Sequence, residues 1–165
     1  PKLFRLDKGQ KIIEDIFRGE TINTISMLAV EDALDALRWI ENIGGGTAMI
    51  ARAAANFAVV DGWVAKTPWV EFLARDPATR SRTSMCLSIT EDWFAALDED
   101  ARWAIVGALT QMLEREGAAF DIATHRAASP GLRIWGGGTV ERSDLEKLLP
   151  WLDWAWAEIC AEHAP

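Results

Sequence analysis

The segments WVEFL (residues 69–73) and TSMCLSI (residues 83–89) decide how this chain folds. Both are short and made of strand-forming residues, and the turn-like DPAT at 76–79 separates them, which predicts an antiparallel pair. Two further short segments, Ala118 to Ile122 and Leu132 to Trp135, complete a small sheet. Helical patterns flank these segments on both sides. Ser26 precedes apolar residues at Leu28, Ala29, Ala33, Leu34, Leu37 and Ile40, with Glu31 and Asp32 in the first turn. Those are helix-start and helix-period signals, and Gly44-Gly45-Gly46 ends the helix. A second helix is expected from about Thr47 to Lys66, stopping before Thr67-Pro68. A third carries Ala101, Ala104, Ile105, Ala108, Leu109, Met112 and Leu113 on one face, with Gly117 just past its end. Ser143 and Glu146 have the spacing of a capping box, and Pro150 is expected to restart that last helix at its own first turn. Leu152, Trp156 and Ile159 then share a face. Helices segregated against a small, mainly antiparallel sheet make an α+β domain.

Composition narrows the possible functions. A length of 165 residues suffices for one domain with a real core. The net charge of −8 argues against a nucleic-acid partner or an anionic membrane surface. No apolar run approaches the ~20 residues of a membrane span; Ala53 to Val60 is the longest candidate, and Asn56 interrupts it. No secretory signal pattern is visible. Cys86 and Cys160 lie far apart without C-x-x-C spacing, which fits buried thiols in a reducing compartment better than a disulfide framework. Nine tryptophans with no tyrosine is an unusual balance. Most of them fall at positions that are apolar anyway, and read as core or interface filler. The chain begins at Pro1 rather than Met, which reads as a piece of something longer or a trimmed form.

No H-E-x-x-H, Cys/His cluster, phosphate-cradling G-x-x-x-x-G-K-[ST] or G-x-S-x-G is present, so no metal site is expected. Gly136 to Gly138 follows a strand and either lets backbone approach a neighbour or simply forms a loop. Polar residues stand out in two places. His125, Arg126 and Arg133 put three anion-capable side chains on a loop and the strand it feeds. Arginine matches a carboxylate bidentately, and a His/Arg pair suits a phosphate. Arg133 points to the opposite strand face from Leu132 and Ile134. The plainer alternative is a solvated strand face. The other place is residues 19–24, GETINT, where small hydrogen-bonding residues before a helix either bind a phosphate or cap the helix.

Several stretches carry a resemblance. KIIEDIFRGETINT (11–24) and SMLAVEDALDAL (26–37) come first, then DGWVAKTPWVEF (61–72) and DPATRS (76–81), then PGLRIW (130–135), SDLE (143–146) and PWLDW (150–154). In order and over nearly the whole chain, they resemble the C-terminal part of the phosphoserine aminotransferases, in the class V family dependent on pyridoxal 5′-phosphate (PLP). The resemblance implies the small C-terminal α+β domain over residues 26–165. Residues 1–25 would be an N-terminal arm, or connector, holding a cofactor-contacting loop. It implies cytoplasmic homodimers with active sites at the subunit interface, in which Asn23 and Thr24 reach the PLP phosphate of the partner subunit. Arg133 would hold the substrate α-carboxylate, and His125 and Arg126 the phosphate of phosphoserine. The family's lysine that carries PLP lies upstream, so Lys2, Lys8 and Lys11 are not catalytic, and the chain alone is expected to be inactive. Where the family reads Asn-Thr-Pro this chain has Ile25, which removes the ring that fixes φ there.

The implied activity is amino transfer between glutamate and 3-phosphohydroxypyruvate in serine biosynthesis. Two rivals stand beside it. Another class V aminotransferase would share an arginine like Arg133 without needing a phosphate site. A non-enzymatic dimerisation or interaction module derived from this domain would need neither.

Overall fold

The computed structural model describes residues 6–21 and 23–164. It divides into two compact units, residues 1–43 and 44–165, which places the first long helix with the N-terminal segment rather than with the rest.

In the first unit, an isolated antiparallel bridge joins Leu6 to Ile12. Asp7 tightens the turn between them, its carboxylate accepting from the Gly9 and Lys11 amides. A 3₁₀ turn at Glu14–Arg18 follows, which the sequence pattern does not separate from loop. Helix α1 spans Met27–Asn42, and the Ser26 hydroxyl caps it by accepting from the Ala29 amide at 3.3 Å, as the Ser26 signal predicts. No residue of α1 is buried, and Met27, Leu28 and Leu37 are among its exposed apolar residues.

The second unit holds α2 (Gly45–Val64), α3 (Asp92–Ala95), α4 (Glu99–Arg115) and α5 (Arg142–His163) with the three strands β1 (Val70–Phe72), β2 (Ser84–Ile89) and β3 (Gly131–Trp135). The sheet order is β1-β2-β3 and both pairings are antiparallel. Register pairs Val70 with Ile89 and Cys86 with Arg133. Met85, Leu87 and Ile89 alternate with half-buried Ser84, Cys86 and Ser88, so one face of β2 meets the core while the other stays partly wet. Leu132 and Ile134 join that core with Leu109 and Leu113 of α4, and with Leu152 and Ile159 of α5. Helix α5 packs against both α2 and α4, α2 against β1 and α4 against β3. This is the expected α+β arrangement.

Three local expectations are corrected. Ala118 to Ile122 forms no strand. Only an isolated bridge from Ala123 to Leu132 remains, because Asp121 takes a left-handed backbone conformation (φ 53°) that breaks the extended run. The Ser143–Glu146 capping box is not made. Helix α5 starts earlier, with Glu141 at its N-cap, where Arg52 of α2 ties down Glu141 and the Gly138 carbonyl. Glu146 instead accepts from Arg142 at 2.8 Å. Pro150 does not restart the helix but lies inside it. Its missing N–H and ring cost about 3 kcal/mol, and the buried row Leu145, Leu149, Leu152, Trp156 and Ile159 on either side outweighs that.

The tryptophans divide. Trp69 and Trp156 are buried in the core, and Trp63, Trp93 and Trp103 pack against it. Trp39, Trp135, Trp151 and Trp154 are exposed, so core filling holds for only part of them. Trp156 stacks between Trp69 (5.0 Å between centroids) and Trp93 (5.7 Å), and the Trp63 and Trp69 indoles both donate to Asp153. Asn56, which interrupts the apolar run of α2, is 1% exposed. Its Nδ2 donates to the carbonyls of Gly136, Gly137 and Val140 at 3.2, 3.1 and 2.9 Å. The glycine run after β3 is therefore a place where backbone approaches a neighbour. A Cβ on Gly136 would sit 2.5 Å from the Met85 methyl. No single helix among the described residues is long and apolar enough to cross a membrane.

Candidate active site

Arg133 sits in the middle of β3, between buried Leu132 and Ile134, and alternation turns it to the partly wet face. Its backbone N–H donates to the Ile122 carbonyl at 2.7 Å, which ties the strand to the segment before the loop. The guanidinium Nη2 donates to Asp121 Oδ2 at 3.2 Å. Both border a cavity of about 560 Å³, whose other walls include Ser84, Phe120, Trp135 and Leu148. A cation on an apolar-walled cavity, already holding one carboxylate, has the chemistry to hold another anion.

His125 and Arg126 lie on the turn that leads into β3. The Thr124 hydroxyl closes this turn by donating to the Ser129 carbonyl at 2.7 Å, and the Ala128 amide donates to the His125 carbonyl at 2.7 Å. His125 Nδ1 accepts from the Ala127 amide at 3.2 Å, which leaves Nε2 as the ring nitrogen free to face a ligand. Arg126 borders a second cleft of about 360 Å³ with Glu99, Arg102 and Ser129. The structure thus brings His125 and Arg126 together on one turn, whereas Arg126 and Arg133 line different cavities.

Asn23 and Thr24 lie in the exposed loop of the first unit, just before the Ser26 cap. The Thr21 hydroxyl bonds the Asn23 carbonyl at 2.6 Å, folding the loop on itself. The Asn23 amide and Thr24 hydroxyl make no hydrogen bond among the described residues. Neutral donors left open on a loop have the chemistry to donate to a phosphate. Among the described residues no cluster of His, Cys, Asp and Glu is arranged for a metal.

Sequence reasoning misses Asp121 and Arg102. Asp121 is visible only once the loop before β3 is folded. Arg102 has, in the sequence, the pattern of an ordinary solvated charge on a helix.

No protein-family model matches the chain. Curated relatives do. The phosphoserine aminotransferase of Methanosarcina mazei is 46% identical over 156 residues, and that of Methanosarcina barkeri 45%. Each alignment covers 94% of this chain and 40% of the relative, so the chain spans about two fifths of the length of the proteins it matches. Among solved structures, a phosphoserine aminotransferase studied for radiation damage of its Schiff base superposes with a TM-score of 0.70 at 12% identity, covering 88% of this chain and 37% of that one. The PLP-bound enzyme of Trichomonas vaginalis gives 0.66 at 22% identity, covering 84% and 36%. These likenesses establish the fold. By sequence over nearly its whole length, and by fold, the chain is a homologue of the C-terminal part of the phosphoserine aminotransferases.

Proposed function

We propose that the chain acts as the C-terminal portion of a phosphoserine aminotransferase, transferring an amino group between glutamate and 3-phosphohydroxypyruvate in serine biosynthesis. The observation that carries this is 46% identity to such an enzyme over 94% of the chain. The same reading makes it a PLP enzyme of the cytoplasm. When bound, PLP supplies the electron sink.

The chain's own residues then divide the work. Arg133 holds the α-carboxylate that both amino donors share, and so fixes the orientation of the substrate Cα. His125, through its open Nε2, and Arg126 take the substrate phosphate. The open Asn23 and Thr24 donors take the cofactor phosphate of a partner subunit in a homodimer. The exposed apolar residues of α1 support a further protein surface there. As a functional division, residues 1–25 are the connector and 26–165 the small domain, while compactness divides the chain after Ile43. In the family the lysine that carries PLP lies upstream of the aligned part, so this chain's residues act together with that upstream part.

A chimera tests the reading, with this chain in place of the aligned part of the Methanosarcina mazei enzyme. There Arg133→Ala raises KM about tenfold or more for both glutamate and phosphoserine, since both lose a charged hydrogen bond. An unchanged KM for glutamate would refute the carboxylate role.

A further inference from the structure

We infer that Arg102 of α4 shares with Arg126 the binding of a phosphate group in the polar cleft they both border. The inference rests on the reading of Arg126 given above, and adds a residue to it. The cleft of about 360 Å³ lies between the first turn of α4 and the turn at 126–130, with Glu99 and Ser129 also on its walls. Arg102 Nε is shielded from solvent and has no hydrogen-bond partner. A charged N–H removed from water without an acceptor is costly, and native proteins rarely leave one so. Among the described residues, neither Arg102 nor Arg126 forms an ion pair, although Glu99 stands on the same cleft. Two guanidinium groups against one carboxylate leave the cleft net positive. The planar forks of the two arginines match the oxygens of a phosphate monoester, and a small turn of the Arg102 side chain toward a phosphate bound there gives its shielded Nε the acceptor it lacks.

The pattern of α4 hides this residue. Arg102 stands between Ala101 and Trp103 on a helix whose apolar face reads as core, so a charge there passes for a solvated one.

Titration of the ¹⁵N-labelled chain with inorganic phosphate, then O-phospho-L-serine, observed through the arginine Nε–H signals, tests the inference. The Arg102 and Arg126 signals should move together and report one dissociation constant. Arg102→Ala should weaken phosphate binding about tenfold, the loss of one charged hydrogen bond. Arg102→Lys keeps the charge but not the Nε–H, and should recover only part of the affinity; it also serves if Arg102→Ala fails to fold. An Arg102 signal that stays fixed while that of Arg126 moves overturns the inference. So does the absence of any shift at phosphate on the order of 10 mM. Phosphate held by both arginines with no gain for O-phospho-L-serine would instead leave the cleft standing and count against the substrate proposed above.

Discussion

Arg133 donates to the carboxylate of Asp121 at 3.2 Å, and both residues line the cavity of about 560 Å³. The aspartate is 90% exposed and held in a left-handed backbone conformation, while the arginine is 37% exposed. The residue proposed to hold a substrate carboxylate therefore already has one beside it, from its own chain. An exposed pair of this kind contributes no more than about 1 kcal/mol to stability. Asp121→Asn should leave the unfolding midpoint in urea almost unchanged. In the chimera it should lower the KM for glutamate about two- to fivefold, because the substrate no longer competes with Asp121. A raised KM would mean that Asp121 positions Arg133 instead of competing for it.

Asn56 holds the end of β3 from inside the core. Replacing it with Leu leaves three carbonyl acceptors without their donor and should cost about 2–3 kcal/mol in urea unfolding. Asn56→Asp should cost more, since a carboxylate would face the Gly136, Gly137 and Val140 carbonyls. Equal losses for the two variants would show that the amide matters only by volume.

Gly131 opens β3 where it crosses β2. A Cβ at this position would overlap the Leu87 carbonyl oxygen, and that oxygen belongs to the ladder and cannot turn away. Gly131→Ala should destabilise the fold by more than about 2 kcal/mol, with thermal unfolding as the readout. A change within ~0.5 kcal/mol would mean the two strands have room to part.

Cys160 has its thiol pushed above the usual cysteine range, chiefly by burial and then by the nearby Glu91 carboxylate. It should react with iodoacetamide more slowly than a free cysteine at mildly alkaline pH. The sign for stability follows from the same shift. The folded chain keeps the proton longer than the unfolded one, so stability is full below the unfolded pKa of about 8.5 and falls as pH rises through the folded value. Cys160→Ala should remove that part of the alkaline slope; an unchanged slope would assign it to other groups.

Much of this fold is written in local signals. Ser26 caps α1 and Gly117 follows α4, and the DPAT turn separates two strands, because each depends on residues within one or two turns of itself. The misreadings depend on distant residues. Helix α5 begins at Arg142 because Arg52, far away in sequence, binds Glu141, and it runs through Pro150 because core packing exceeds the local penalty. Ala118 to Ile122 has the composition of a strand, and one left-handed residue breaks it. At the candidate site, the placement of Arg133 follows from strand alternation. The partner it has in Asp121, and the cleft joining Arg102 to Arg126, exist only in three dimensions.

The chimera of this chain with the upstream part of the Methanosarcina mazei enzyme offers the most direct test of the central claim. Its kcat/KM should be compared for 3-phosphohydroxypyruvate and for glyoxylate, with glutamate as the amino donor. The account predicts turnover with a preference for the phosphorylated keto acid of at least about a hundredfold, from two or more charged phosphate contacts. A folded, PLP-loaded chimera that prefers glyoxylate, or uses both alike, would contradict it.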